Sequence, residues 1–254
     1  MSKPRIAVQL FSVRHELEKD LPGTLQAVRG MGYEGVEFYG GYIRPDVLVK
    51  ALKKAKLKIV GWHTPFANIA PGLIEATIAY NKLIGNNSMV VPALPAENTK
   101  NRAGWLKAAE VLQAASKRLA EEGMYTGYHN HHTEFTNVEG QTPWDIIAGA
   151  TDKNVVLQMD TGNCMKGKGD PIALMRKYPG RSRTIHLKPF SRSKEYATMI
   201  GGDDTDWQTI KKIGEGEGSS AAAEWYIVEY ECETLYKPLE GVQLCLKALK
   251  ELGF

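Results

Sequence analysis

The segment Lys107–His129, KAAEVLQAASKRLAEEGMYTGYH, contains one complete helix and strand unit of the fold. Its first part, Lys107–Glu122, is rich in Ala, Leu, Lys and Glu, which favour an α-helix, and Gly123 is a typical residue at a helix end. The short apolar run Met124–His129 then predicts a buried strand. Alternation of such helices and strands indicates a parallel sheet whose strands are joined by crossover helices.

Eight strand–helix cycles of this kind succeed one another along the chain. The predicted strands are Ile6–Phe11, Gly35–Tyr39, Lys58–Trp62, Ser88–Pro92, Met124–His129, Val155–Asp160, Thr184–Lys188 and Tyr226–Tyr230. The predicted helices are Leu21–Met31, Pro45–Ala55, Gly72–Ile84, Asn101–Glu122, Pro143–Gly149, Pro171–Tyr178, Trp207–Ile213 and Leu239–Leu252. Eight units in about 250 residues is the size of a (β/α)8 TIM barrel. We therefore expect an α/β protein with a single TIM-barrel domain over residues 1–254. An open doubly wound sheet is the alternative, but no GxGxxG comes after the first strand.

The composition restricts the class of partner. The chain has 254 residues, 43% of them apolar, and a net charge of +3 with scattered Lys and Arg, so a nucleic-acid-binding face is not expected. No stretch has the length of a signal sequence or a membrane span, so we expect no membrane partner. Cys164, Cys232 and Cys245 are odd in number and widely spaced, which favours a reducing compartment and a cytoplasmic location.

Polar residues end five of the predicted strands. They are His63, His129, Asp160, the pair His186 and Lys188, and Glu229. The carboxyl ends of barrel strands form the active site in this architecture, so closure would bring these side chains to one mouth. Each also has a structural interpretation: Asp160 could brace a turn, His186 could be a core imidazole, and Glu229 could pair with Lys188 or Arg14.

The segment Gly127–Phe135 adds further histidines and a carboxylate at the same mouth, including His131 and Glu134. Two or three carboxylates with one or two imidazoles suit one divalent metal ion, and Mn²⁺, Zn²⁺, Co²⁺ and Mg²⁺ all fit this ligand set. Such an ion polarises a carbonyl or binds adjacent hydroxyls, and nearby carboxylates or histidines then move the proton.

The order of several segments resembles the sugar phosphate isomerase/epimerase family with the xylose isomerase-like TIM barrel, which includes ketose 3-epimerases and inosose dehydratase. The segments are Val8–Arg14, Gly32–Glu37, Tyr128–His131, Leu157–Asn163, Ile185–Lys188, Asp206–Trp207 and Trp225–Glu229. The resemblance covers nearly the whole chain.

This resemblance implies a metal held by a Glu, an Asp, a His and a Glu from successive late strands. The last three match Asp160, His186 and Glu229, whereas His129 stands where many relatives have the first Glu. We expect Glu134 to complete the ligand set and His129 or His131 to act as the base. In the alternative, His129 binds the metal, and Glu134 contacts the ligands without binding the metal itself.

The remaining candidate roles concern the substrate. Lys188 and Glu229 are candidate catalytic groups, with Lys188 steadying an oxyanion or a substrate hydroxyl; an ion pair between the two is the alternative. His63, Asn130 and Asn163 are candidate substrate-binding residues together with Lys188.

The expected activity is that of a metal-dependent sugar isomerase or epimerase. It would abstract a proton next to a carbonyl of a sugar or polyol ketone through a metal-stabilised enediolate. The alternative is a keto-sugar or inosose lyase or dehydratase on the same site. A non-catalytic sugar-binding barrel and an endonuclease IV-like DNA repair enzyme are weaker alternatives. A homo-oligomer is compatible with the sequence.

Overall fold

The eight strands form a closed parallel barrel in chain order, which confirms the predicted TIM barrel. The computed structural model describes residues 3–217 and 222–254. The strands are β1 Arg5–Gln9, β2 Gly35–Tyr39, β3 Lys58–His63, β4 Ser88–Val91, β5 Tyr125–His129, β6 Val156–Asp160, β7 Thr184–Leu187 and β8 Trp225–Val228. β1 pairs with both β2 and β8, and this pairing closes the barrel.

The helices surround the barrel and connect successive strands. They are α1 Arg14–Lys19, α2 Leu21–Met31, α3 Pro45–Ala55, α4 Ile74–Ile84, α5 Ala96–Thr99, α6 Arg102–Ala120, α7 Pro143–Ala150, α8 Thr161–Lys166, α9 Pro171–Lys177, α10 Trp207–Gly214 and α11 Pro238–Glu251. Three short 3-10 helices span Leu10–Val13, Phe66–Ile69 and Thr133–Phe135. Among the described residues no helix is both long and apolar enough to cross a membrane.

Most predicted boundaries differ from the observed ones by only one or two residues, and β2, α2 and α3 match fully. β1 was predicted to run to Phe11 but ends at Gln9, because the Gln9 side chain accepts a hydrogen bond from the Phe11 N–H and starts a 3-10 turn. The helices α1, α5 and α8 were not predicted. All three are six residues or shorter, too short to show a periodic apolar pattern.

The core has an outer layer and a small inner layer. The outer layer packs the helices against outward strand residues such as Val36, Leu157 and Val228. The inner cluster is confined to Ala7, Val60, Trp225 and Ile227. Nearer the carboxyl ends of the strands, polar side chains fill the barrel interior. The fold therefore places a buried polar region at the end where barrel active sites form. Cys164, Cys232 and Cys245 are buried and free.

Gly127 in β5 is required by a close approach between strands. A Cβ atom at this position would lie 2.3 Å from the Val156 carbonyl oxygen of β6. We expect Gly127→Ala to destabilise the fold by about 3 kcal/mol, because main chain on both sides of the contact must move. Urea unfolding measures this change.

Gly149→Ala is the matched control. Gly149 lies in α7, and a Cβ there has no neighbour within 4 Å. Alanine also favours the helix by about 0.5–1 kcal/mol over glycine. Equal effects of the two substitutions on unfolding would contradict the packing described for β5.

Candidate active site

Six acidic and imidazole side chains meet inside the barrel near the carboxyl ends of the strands. They are Glu37 at β2, His63 at β3, His129 at β5, Asp160 at β6, His186 at β7 and Glu229 directly after β8, and all are buried. The prediction that His63, His129, Asp160, His186, Lys188 and Glu229 converge at one mouth agrees with this arrangement. Glu37 was not among the predicted site residues.

His186 is held between two carboxylates. Its Nε2 donates to Glu37 Oε2 at 2.7 Å and its Nδ1 donates to Glu229 Oε2 at 2.6 Å. Burial alone lowers the pKa of His186, but the two carboxylates outweigh it and raise the pKa to about 10. In the metal-free protein this imidazole is therefore charged at neutral pH and donates from both nitrogens.

Glu37 is the centre of a fully buried hydrogen-bond network. Besides His186, it accepts from Gln9 Nε2 at 2.8 Å and from Gln158 Nε2 at 3.0 Å, and it lies 3.0 Å from His63 Nε2. Burial raises the pKa of Glu37, but His63 and His186 outweigh it and hold the pKa well below its usual range. A bulge in the pairing of β2 with β3 places Gly61 beside this carboxylate, where a Cβ would lie 2.6 Å from Oε1.

Gln158 fixes which nitrogen of His129 is free. Since the Gln158 amide nitrogen donates to Glu37, its Oε1 must be the acceptor for His129 Nδ1 at 3.0 Å and for His63 Nε2 at 2.8 Å. His129 therefore carries its proton on Nδ1 and keeps a lone pair on Nε2. Burial and the neighbouring histidines His186 and His63 lower the pKa of His129 well below its usual value, so the ring stays neutral.

Asp160 caps a helix and also has a raised pKa. It caps α8, with Oδ1 accepting from the Asn163 N–H at 2.7 Å and Oδ2 from Asn163 Nδ2 at 3.0 Å. The side chain of Asn130 bonds to both the N–H and the carbonyl of Asp160. Burial raises the pKa of Asp160 to about 7. The turn-bracing interpretation of Asp160 thus agrees with its contacts. The amides of Asn130 and Asn163 hold the protein's own groups, so their predicted substrate roles stay predictions.

Lys188 lies at the mouth between two carboxylates. Its Nζ is 3.2 Å from Glu229 Oε1 and 2.5 Å from Glu231 Oε2. Burial lowers the pKa of Lys188, but Glu229, Asp160 and Glu231 outweigh it, and the pKa is raised well above its ordinary value. The ion pair with Glu229 is therefore present. Arg14, the other predicted partner of Glu229, instead pairs with Glu233.

Glu134 does not reach the other acidic groups. Its carboxylate accepts from the Tyr128 hydroxyl at 2.9 Å and from the His131 N–H at 2.8 Å. The four residues whose ligand atoms lie within 4.8 Å of one another are His129, Asp160, His186 and Glu229. The predicted ligand role of Glu134 has no support in this geometry, and the alternative in which His129 is the ligand agrees with it. Two imidazoles and two carboxylates fit a divalent cation.

His131 and His63 differ in their surroundings. His131 is partly exposed, its ring lies 5.2 Å from that of His129, and no described residue hydrogen-bonds to its ring nitrogens. Burial lowers the pKa of His131, so the ring is neutral at pH 7. His63 lies deeper, stacked 5.2 Å from the His186 ring and bonded to Gln158. Its predicted contact with substrate stays a prediction.

Comparison with known proteins agrees with the barrel fold. The family model described as xylose isomerase-like TIM barrel matches residues 25–252. The chain belongs to this family. An inosose dehydratase of Clostridium beijerinckii is 29% identical over an alignment of 270 positions, gaps included, which covers 89% of this chain and 88% of that enzyme. An inosose dehydratase of Clostridium botulinum is 28% identical over 180 residues, which cover 62% of this chain and 59% of that relative.

A solved structure of another protein shows the same fold. A sugar phosphate isomerase/epimerase from Parabacteroides distasonis superposes with a TM-score of 0.83 and 23% identity, covering 98% of this chain and 94% of that one. The family and these relatives confirm the predicted resemblance.

The Glu37 network predicts a specific pH dependence of stability in the metal-free protein. The pKa of His186 is raised from 6.5 to about 10, so the stabilisation from its charged form is complete below pH 6.5 and is lost as pH rises through about 10. We expect Glu37→Gln to cost about 3 kcal/mol at pH 7 and less at pH 10, because it removes one of the two carboxylates that hold the charge. Urea unfolding in the presence of a chelator measures both values.

Glu34→Gln is the control, since Glu34 is exposed and precedes the same strand. It should leave the unfolding free energy within about 0.5 kcal/mol of wild type at both pH values. If Glu37→Gln costs the same at pH 7 and pH 10, His186 does not carry the charge assigned to it.

Proposed function

We propose that the protein is a divalent-metal-dependent dehydratase that removes the proton next to the ketone of a sugar or inosose and expels a hydroxyl as water. The observation that carries this proposal is the asymmetry of the proton-transfer groups at the mouth. One side has a neutral, unbonded imidazole, His131, whereas the carboxylate of Glu229 is already bonded to His186 and Lys188. The inosose dehydratase relatives add support over most of the chain.

The residues that would hold the cation are His129, Asp160, His186 and Glu229. When bound, a divalent cation supplies a Lewis acid that polarises the substrate ketone and acidifies the adjacent C–H bond. His129 is suited to bind the cation, because its Nε2 lone pair is free while Nδ1 is bonded to Gln158. Glu37 orients His186 from the side opposite Glu229, as carboxylate partners of ligand histidines do.

His131 is the proposed base. Its ring is neutral, lies at the mouth beside His129 and is not engaged by any described hydrogen-bond partner. Glu134 positions it, because the Glu134 carboxylate holds the His131 main-chain N–H and the Tyr128 hydroxyl at once. The proton that His131 takes from carbon can then leave with the departing hydroxyl as water, so one base on one face of the substrate is sufficient.

Lys188 is the proposed electrostatic partner of the substrate oxygen. Its raised pKa keeps the ammonium charged, so it stabilises developing negative charge without giving up its proton. Glu229 and Glu231 hold it in place. By the same contacts Glu229 is a poor base, because burial raises its pKa but Lys188 and His186 lower it well below its ordinary value.

Epimerisation or isomerisation is the second candidate. It needs a group on the opposite face to return the proton, and Glu231 is the described carboxylate that favours it. The Glu231 side chain is 28% exposed and lies next to Lys188. Both candidates share the first proton transfer and differ in the fate of the enediolate.

Metal content separates the two proposed ligand sets. We expect tag-free wild type supplied with Mn²⁺ or Zn²⁺ to retain close to one equivalent, and His129→Ala and Asp160→Ala to lose it, because each removes a donor. Glu134→Gln should retain the metal, since Glu134 holds the loop and not the ion. Plasma mass spectrometry after desalting gives the stoichiometry. Loss of metal from Glu134→Gln with retention in His129→Ala would restore Glu134 as the ligand.

Product analysis in deuterated water tests the chemistry. We expect an inosose to lose water, with His131→Gln and Lys188→Met lowering kcat by about 10²–10⁴. His15→Ala is the control, because His15 is exposed, lies next to Glu233 and is not one of the buried acidic and imidazole groups. Mass spectrometry distinguishes the outcomes. Uptake of deuterium without loss of water indicates an epimerase or isomerase, and no exchange into an inosose or a panel of ketohexoses contradicts an enolising enzyme for these substrates.

A further inference from the structure

A pocket, which we call the side pocket, lies beside the mouth of the barrel. Its volume is about 480 Å³, and its lining residues are His132, Met165, Lys166, Lys168, Gly169, Phe190, Arg192 and Glu195. These residues come from the connections after β5, β6 and β7, so the side pocket is at the same end of the barrel as the acidic and imidazole groups. None of them belongs to the candidate metal-binding group.

The side pocket is electropositive. Three of its lining residues are cationic, Lys166, Lys168 and Arg192, and one is acidic, Glu195. Lys166 pairs with Glu195 at 2.7 Å. Among the described residues neither Lys168 nor Arg192 has an ion-pair partner, although the main-chain N–H of Arg192 donates to Asp204. Two unpaired cations on one concave surface attract an anion.

The backbone around the side pocket is held in an unusual conformation. Four non-glycine residues of the described chain have a positive φ, and two of them, Lys168 (64°) and Glu195 (51°), line this pocket. The segment 166–169 also packs closely against the main chain at His132, since a Cβ at Gly167 would lie 2.3 Å from the His132 carbonyl oxygen. Strained conformations of this kind persist where the surroundings fix them, and they concentrate at functional sites.

Tyr196 connects the side pocket to the candidate active site. The ammonium nitrogens of Lys166 and Lys188 each lie 4.9 Å from the centroid of the Tyr196 ring. The two nitrogens are therefore no further apart than twice that distance. Lys188 is in turn 3.2 Å from Glu229. The side pocket therefore lies close to the acidic and imidazole groups, with the Tyr196 ring in contact with a lysine of each.

We propose that the side pocket binds an anionic group, a phosphate or a carboxylate, on the substrate whose ketone lies at His129, Asp160, His186 and Glu229. The placement of the ketone rests on the proposed function, whereas binding of the anion does not. Arg192 and Lys168 are the specificity residues, because they are the cations left without a protein partner. The preferred substrate class is then a keto-sugar or an inosose that carries a phosphate or a carboxylate, and a neutral inosose reacts without the contribution of this pocket.

Calorimetric titration of chelator-treated protein with inorganic phosphate and, separately, with succinate tests the proposal. We expect wild type to bind at least one of them, and Lys168→Ala and Arg192→Ala each to weaken that binding on the order of tenfold. Lys194→Ala should bind as wild type does, because Lys194 is exposed on the same loop but does not line the pocket. Unchanged thermal unfolding of each variant shows that folding is intact.

The two ligands distinguish the two sources of negative charge. Binding of phosphate alone identifies a phosphorylated substrate, and binding of succinate alone identifies a sugar acid. If wild type binds neither anion, or if the three variants bind equally, the proposal is overturned. The titration requires neither a bound metal nor turnover of substrate. Its failure is therefore distinct from failure of the dehydratase proposal, which is tested by metal content and by loss of water.

Discussion

The buried carboxylate of Glu37 is the constraint on which the candidate site depends. An ionised carboxylate inside a barrel is costly unless positive or hydrogen-bonding partners surround it. Gln9, Gln158, His63 and His186 supply those partners from four other strands. Barrel closure is what brings them together, so the fold and the charge state of the site are linked. His186 gains its second carboxylate, Glu229, at the mouth.

The Glu37 network reaches the chemistry through Gln158. Because Glu37 orients the Gln158 amide, the amide oxygen fixes the protonated nitrogen of His129. His129 then presents a lone pair next to Asp160, His186 and Glu229, where the resemblance implies a carboxylate. Replacing a carboxylate by a neutral imidazole lowers the negative charge of the donor set. It also leaves His131 as the nearest unengaged base, which favours chemistry on one face of the substrate.

The barrel and the polar strand ends could be predicted from the sequence because each rests on a local pattern. Apolar runs of strand length alternate with helical segments, and a charged residue at the end of such a run is conspicuous. Glu37 was missed although it gives the same signal as Glu229, a carboxylate inside an apolar strand. Glu37 lies in the middle of β2 and does not end the strand, so the pattern of polar strand ends does not include it.

The orientation of Glu134 and the roles of Asn130 and Asn163 could not be predicted, because they depend on which polar atoms meet once the chain has folded. Glu134 is turned toward Tyr128 by a 3-10 turn of three residues, Thr133–Phe135, which has no periodic pattern in sequence. The two asparagines bond to Asp160 across 30 and 3 positions of the chain. The side pocket is similar, since its cations come from separate loops and form no motif.

The most direct test of the central claim is a crystal structure of Mn²⁺-loaded protein with anomalous data collected at the manganese edge. We predict one anomalous peak bounded by His129 Nε2, Asp160, His186 and Glu229, with Glu37 still bonded to His186 Nε2. A peak coordinated by Glu134 with His129 outside bonding distance would contradict this claim, as would fully loaded crystals in which His129 binds the ion through Nδ1 and Gln158 has turned away.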